Sequence, residues 1–242
     1  LEDFSMLKSW KFAVLILALV ASSVGAQAQR SGGAHGLTAP IYCYPCLFYG
    51  GDFNGTSSNA NGTANEDSGG AQAATFVPFI VPAGQTWTVT GLFTNDIADG
   101  FDGIDPAQAQ WSISSGVGLA QAGTVVASGT NPASFNPTGR TYETFNEYTT
   151  LVKFEPTGYV TLASGQYWLT VVPVCSNTNR ECDVAQYFIS NTQELNKYGP
   201  TEPGSQSYVN SSTFNLDYTP ACDVISFGCQ AFSAGVLGTA SE

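Results

Sequence analysis

From residue 75 to the carboxyl end, apolar residues recur with a period of two, in short runs separated by Gly, Pro, Asn and Ser. A period of two sends alternate side chains to opposite faces, so each run reads as a half-buried strand. TWTVTGLF at 86–93 sets Trp87, Val89 and Phe93 on one side and Thr86, Thr88 and Thr90 on the other. QAQWSIS (108–114) repeats the pattern with Trp111 and Ile113. GTVVASG (123–129), RTYETFNEYTTLVKFE (140–155), GYVTLA (158–163), QYWLTVVPV (166–174), VAQYFIS (184–190) and QAFSAGVLG (230–238) are further strand candidates. No window of eleven or more residues in this part carries a helical stripe. The expected fold is all-β, a two-sheet antiparallel β-sandwich of jelly-roll-like form. LASGQYW (162–168) reads as a tight hairpin with Ser164-Gly165 in the turn. Trp87, Trp111 and Trp168 sit inside strand patterns and are expected in the core.

The amino end reads differently. Lys8 and Lys11 precede an apolar run from Phe12 to Val20, and Ala26-Gln27-Ala28 supplies a small-x-small cleavage site. That order is a secretory signal peptide. The run is shorter than the ~20 residues a membrane span needs. Three segments follow: 1–28, upstream residues and signal peptide; 29–74, a Gly/Asn/Ser-rich leader with a cysteine pair; 75–242, the β-sandwich. The expected location is extracellular or periplasmic, with no membrane span in the mature chain.

Export gives the six cysteines a meaning. An even count in an oxidising compartment reads as disulfides. Spacing suggests the local pairs Cys43–Cys46, Cys175–Cys182 and Cys222–Cys229, although fifteen connectivities are open to six cysteines. CYPC at 43–46 also has the C-x-x-C redox form, but its flanks lack the helix that lowers a thiol pKa. The formal net charge of −12 leaves no basic patch for phosphates, which argues against nucleic acid as a partner.

TNDIADGFDGID (94–105) places Asp96, Asp99, Asp102 and Asp105 three residues apart, with Gly100 and Gly103 between them. A loop that curls at the glycines gathers carboxylates, and Ca2+ takes six to eight oxygens. The spacing is not that of an EF-hand. The competing reading is a solvated loop whose acids serve solubility. No cofactor is required by any motif; Ca2+ is the one candidate.

The ordered set VPAGQTWTVTGLFTND, AQWSISSGVG, GTVVASGT, PTGRTYETFNEYTTLV, VTLASGQYWLTVVPV and FSAGVLGT resembles a group of exported bacterial β-sandwich proteins of uncharacterised function. The likeness spans roughly residues 75–240. Its motifs are turn glycines, core tryptophans and strand starts, so it implies a fold and an exported setting and carries no catalytic residue.

Catalytic machinery is sparse. The single histidine, His35, lies in the glycine-rich leader SGGAHG, where no triad would hold it. There is no G-x-S-x-G elbow, H-E-x-x-H pair or phosphate-binding glycine loop. A carboxylate pair survives this test, since a glycosidase needs only two acids ~5–10 Å apart. Glu143 and Glu147 lie four residues apart on one expected strand, ~13 Å at 3.3 Å per residue, so a pair would have to form across strands, with Glu155 or Asp217. The favoured reading is a secreted, non-catalytic binding or surface-associated protein, its partner an extracellular glycan or cell-surface component. The rivals are a carboxylate-based polysaccharide hydrolase and a structural matrix component. Tyr42, Tyr44, Phe48 and Tyr49, flanking the first cysteine pair, are the candidate contact surface.

Overall fold

The computed structural model describes residues 43, 45–53, 62–67, 71–98, 106–142, 145–175, 187–192, 194, 196–201, 204–224 and 231–242. In chain order its strands are β1 (Cys46–Tyr49), β2 (Gly62–Ala64), β3 (Glu66–Asp67), β4 (Gln72–Val81), β5 (Thr86–Ala98), β6 (Gln108–Ser115), β7 (Thr124–Tyr142) and β8 (Phe145–Lys153). They continue with β9 (Val160–Leu162), β10 (Gly165–Val174), β11 (Tyr187–Thr192), β12 (Tyr208–Ser211), β13 (Leu216–Pro220), β14 (Ala231–Phe232) and β15 (Ala234–Ser241). One four-residue helix, Ala221–Val224, follows β13. Among the described residues no helix is long and apolar enough to cross a membrane.

The protein is all-β. Its strands join into one curled mixed sheet in the order β1-β15-β5-β8-β7-β6-β10-β3-β4-β12-β13, and β10 also pairs directly with β4. The β10–β3 pairing is parallel. The sheet is continuous because β7 serves two ladders. Residues 124–132 pair with β6, and residues 133–142 pair with β8. The main core takes side chains from both halves: Phe79, Ile113, Leu169 and Val209 from one, Val89, Leu92, Val152 and Val236 from the other. Phe79 is central there, with the rings of Phe48, Trp87 and Tyr167 5.7–6.0 Å from its own. Trp87, Trp111 and Trp168 are all buried, as their strand positions require.

Three expectations from the sequence are corrected. First, the alternation of β5 breaks at Thr90. Leu237 pairs with Gly91 but Gly238 pairs with Val89, so Thr90 is an extra residue in the ladder, a β-bulge. Trp87 and Val89 face the main core, whereas Phe93 is carried to the opposite face with Tyr49 and Leu151. Second, LASGQYW is not a hairpin. β9 pairs with β5, while β10 pairs with β4 and β6, so the glycine turn passes the chain between ladders. Third, 140–155 is two strands, because Tyr142 of β7 pairs with Phe145 of β8 and the chain reverses between them. Residues 38–242 form one compact unit, and residues 46–67 supply β1, β2 and β3 to the sheet.

Candidate functional site

Cys43 and Cys46 are joined, as spacing suggested. Cys175 and Cys222 are also disulfide-bonded, and Cys182 and Cys229 lie outside the described residues. So do Tyr42, Tyr44, Asp99, Asp102, Asp105, Glu143 and His35. Phe48 and Tyr49 are 1 % exposed; Phe48 packs into the main core and Tyr49 against Phe93. Glu155 and Asp217 are exposed, whereas Glu147 is wholly buried. Among the described residues no group of three or more His, Cys, Asp or Glu is arranged to hold a metal.

Glu147 is buried because β7 bulges over it. Between the pairs Pro137–Tyr148 and Thr141–Asn146, three residues of β7 stand opposite Glu147 alone. Gly139, in the middle, takes φ +79°, a turn that other residues adopt only with strain. The curl aims both flanking side chains at one carboxylate. Thr138 donates its hydroxyl to Glu147 Oε2 at 2.7 Å, and Arg140 Nε donates to the same oxygen. Arg140 Nη1 donates to Asp52 Oδ1 at 3.0 Å. Asp52 also accepts from the Tyr49 hydroxyl at 2.6 Å and from Asn196 Nδ2 at 2.6 Å. Burial, then the Asp52 carboxylate, pushes the Tyr49 phenol far above its ordinary value. One cation thus holds two buried acids. The arrangement is costly to desolvate and strongly cooperative once formed.

Asp96 sits on the opposite face of β5 and is 0 % exposed. It accepts from Asn65 Nδ2 at 2.9 Å, Thr94 Oγ1 at 2.8 Å and Thr150 Oγ1 at 2.7 Å. Burial raises its pKa from 3.8 to about 6; the three donors oppose the rise and Glu147 adds to it.

Asn65 leads from Asp96 to the surface. β4 and β10 pair in register as far as Val77–Leu169. The next such rung would join Thr75 to Val171. Instead the Asn65 carboxamide stands between them: Thr75 N donates to Asn65 Oδ1 at 3.3 Å, and Asn65 Nδ2 donates to the Val171 carbonyl at 2.8 Å. Beyond this wedge β3 is interposed, with Asp67 pairing to Gln72 on one side and Val174 on the other. The two strands part, and a groove opens on the outer face of the sheet.

The groove runs across the strands as two hollows of about 400 and 300 Å3 that share Ala74, Gln110 and Val172. Its outward rows are set by the register: Ser128, Ser112 and Thr170 stand in one line, Thr130, Gln110 and Val172 in the next. Asp67 accepts from Gln110 at 2.5 Å and from Gln72 at 3.3 Å, which orients both amides. Thr170, on the floor, is 5 % exposed, and its hydroxyl has no hydrogen-bond partner among the described residues. A buried hydroxyl left so costs about 1–3 kcal/mol. The polar face of β6 was legible in QAQWSIS. Asn65 and Asp67 were not, because 50–74 reads as loop by composition.

A second cleft of about 400 Å3, floored by Phe48, Val77 and Phe232, is rimmed by Ser207 and the Lys197–Glu194 ion pair. No protein family, curated protein or solved structure matches this chain.

Proposed function

We propose that this is an exported, non-catalytic binding or surface-associated protein, and that its ligand lies in the groove between β4 and β10. One observation carries the reading: Thr170 holds an unpartnered buried hydroxyl on the floor of that groove. A ligand that pairs with it recovers the desolvation cost. Among the described residues the second cleft offers no such group. The buried acids are committed elsewhere, Asp52 and Glu147 to Arg140 and Asp96 to three neutral donors, which favours a structural task for them over a hydrolytic one. In this reading the chain loses a signal peptide near Ala26 or Ala28, and the curled sheet is an elaborated jelly-roll-like sandwich. A calcium site in the acidic loop would draw on Asp99, Asp102 and Asp105, since neutral donors already occupy both Asp96 oxygens.

The test is retention without turnover. The full chain is passed over arrays of glycans and peptides, and the same polysaccharides are assayed for released reducing ends. Retention with no release is expected. Release of reducing ends would replace this reading with the hydrolase one.

A further inference from the structure

We infer that the groove takes a neutral, hydroxyl-rich chain, a stretch of uncharged polysaccharide lying across the strands. The inference rests on the binding reading above and gives it a ligand class.

Three features select that chemistry. The first is charge. The polar lining is built from Ser, Thr, Gln and Asn, has no Lys or Arg among the described residues, and includes the Asp67 carboxylate. A polyanion such as a uronate polymer or nucleic acid would meet like charge there, on a chain of net charge −12. The second is the kind of donor and acceptor. Side-chain amides and hydroxyls match the mixed donor and acceptor character of sugar hydroxyls, and Asp67 fixes the Gln110 and Gln72 amides in place. The apolar floor atoms of Val172, Ala74 and Phe76 suit the C–H faces of sugar rings. The third is direction. The groove crosses the strands from β7 to β12 with β3 interposed, five strand spacings or about 24 Å, which suits several linked rings better than one. A peptide added as a strand would run parallel to its neighbours, and the backbone groups on the floor are largely spent in the β6–β10 and β6–β7 ladders.

Thr170→Val and Gln110→Ala test this. The first replaces the unpartnered hydroxyl with a methyl of similar shape; the second removes an exposed amide. Neither is expected to lower the melting temperature. Binding of the full chain is measured on hexasaccharides of unsubstituted glucan, xylan, mannan and galactan, on uronate-bearing hexasaccharides and on a peptide array. The expected result is retention of at least one neutral hexasaccharide, weakened tenfold or more by each variant. Retention of uronate-bearing chains alone, or neutral retention that both variants leave unchanged, overturns the inference. Groove-dependent retention of peptides overturns it too and leaves the binding reading standing. Absence of retention on every probe overturns both.

Discussion

Asn65 and Asp96 share one short hydrogen bond, 2.9 Å from amide to carboxylate, and that bond holds the wedge that parts two strands. Asn65 uses its other amide hydrogen on Val171 and its carbonyl on Thr75. Every polar atom of the side chain is engaged, at full burial.

Asn65→Ala therefore strands two buried groups, one oxygen of Asp96 and the Thr75 N–H, while the Val171 carbonyl keeps the Thr94 hydroxyl at 3.1 Å. At about 1–3 kcal/mol for each buried group left unpaired, with some relief as β4 and β10 close up, the loss should be about 3 kcal/mol. For a chain of this size that is a fall of roughly 6–12 °C in Tm. Thermal unfolding monitored by circular dichroism reads it. A change under 2 °C would mean that the amide is dispensable and the groove has another cause.

Asp96 should leave a mark on the pH profile. Its folded pKa is raised by burial to about 6, above the unfolded value near 3.8. The folded state thus holds a proton that the unfolded state has released, between about pH 4 and 6. Stability from this group is fully present below pH 4 and is lost as pH rises through 6. The loss is on the order of 3 kcal/mol. Asp96→Asn should remove that slope, since a neutral amide costs little more to bury at pH 8 than at pH 4. Urea titrations of both proteins at pH 4.5 and 7.5 make the comparison. Equal slopes in the two would show that Asp96 is ionised throughout.

Arg140→Leu should be among the most damaging substitutions. It leaves Asp52 and Glu147 buried without their cation. Breaking such a pair by removing one partner costs about 3–5 kcal/mol. Arg140→Leu combined with Glu147→Leu should recover part of that loss, because the second change removes one of the two stranded charges. Denaturant midpoints of the two proteins decide: a double variant less stable than the single would contradict the coupling.

The acidic loop is tested by calcium. If Asp99, Asp102 and Asp105 bind the ion, a hundredfold excess over Kd stabilises the fold by about 2.7 kcal/mol. Tm should rise by roughly 2–4 °C per kcal/mol and return with chelator. Asp99→Asn with Asp102→Asn should abolish the rise, whereas Asp96→Asn should keep it. An unchanged melting curve at millimolar calcium leaves the loop as a solvated turn.

What could be read in advance depended on range. β6 and β10 were plain, because alternation is local and each strand runs unbroken through its segment. β5 was plain as far as Thr90, where a bulge reversed the faces without any change in the sequence pattern. β7 was half-read, because Pro132 and Pro137 look like punctuation. They are tolerated because each half of that strand has one ladder partner and an open edge. Asn65 was invisible for a different reason. An Asn among Gly, Ser and Thr is the ordinary composition of a turn, and its partners Asp96 and Val171 lie 31 and 106 residues away.

The double duty of β7 also governs how the protein comes apart. A strand that closes two ladders at once leaves neither half a complete boundary of its own, and the core between them takes side chains from both. A nick between Pro132 and Ala133 would not free two smaller folded pieces. Melting of the unit 38–242 should accordingly be a single cooperative event.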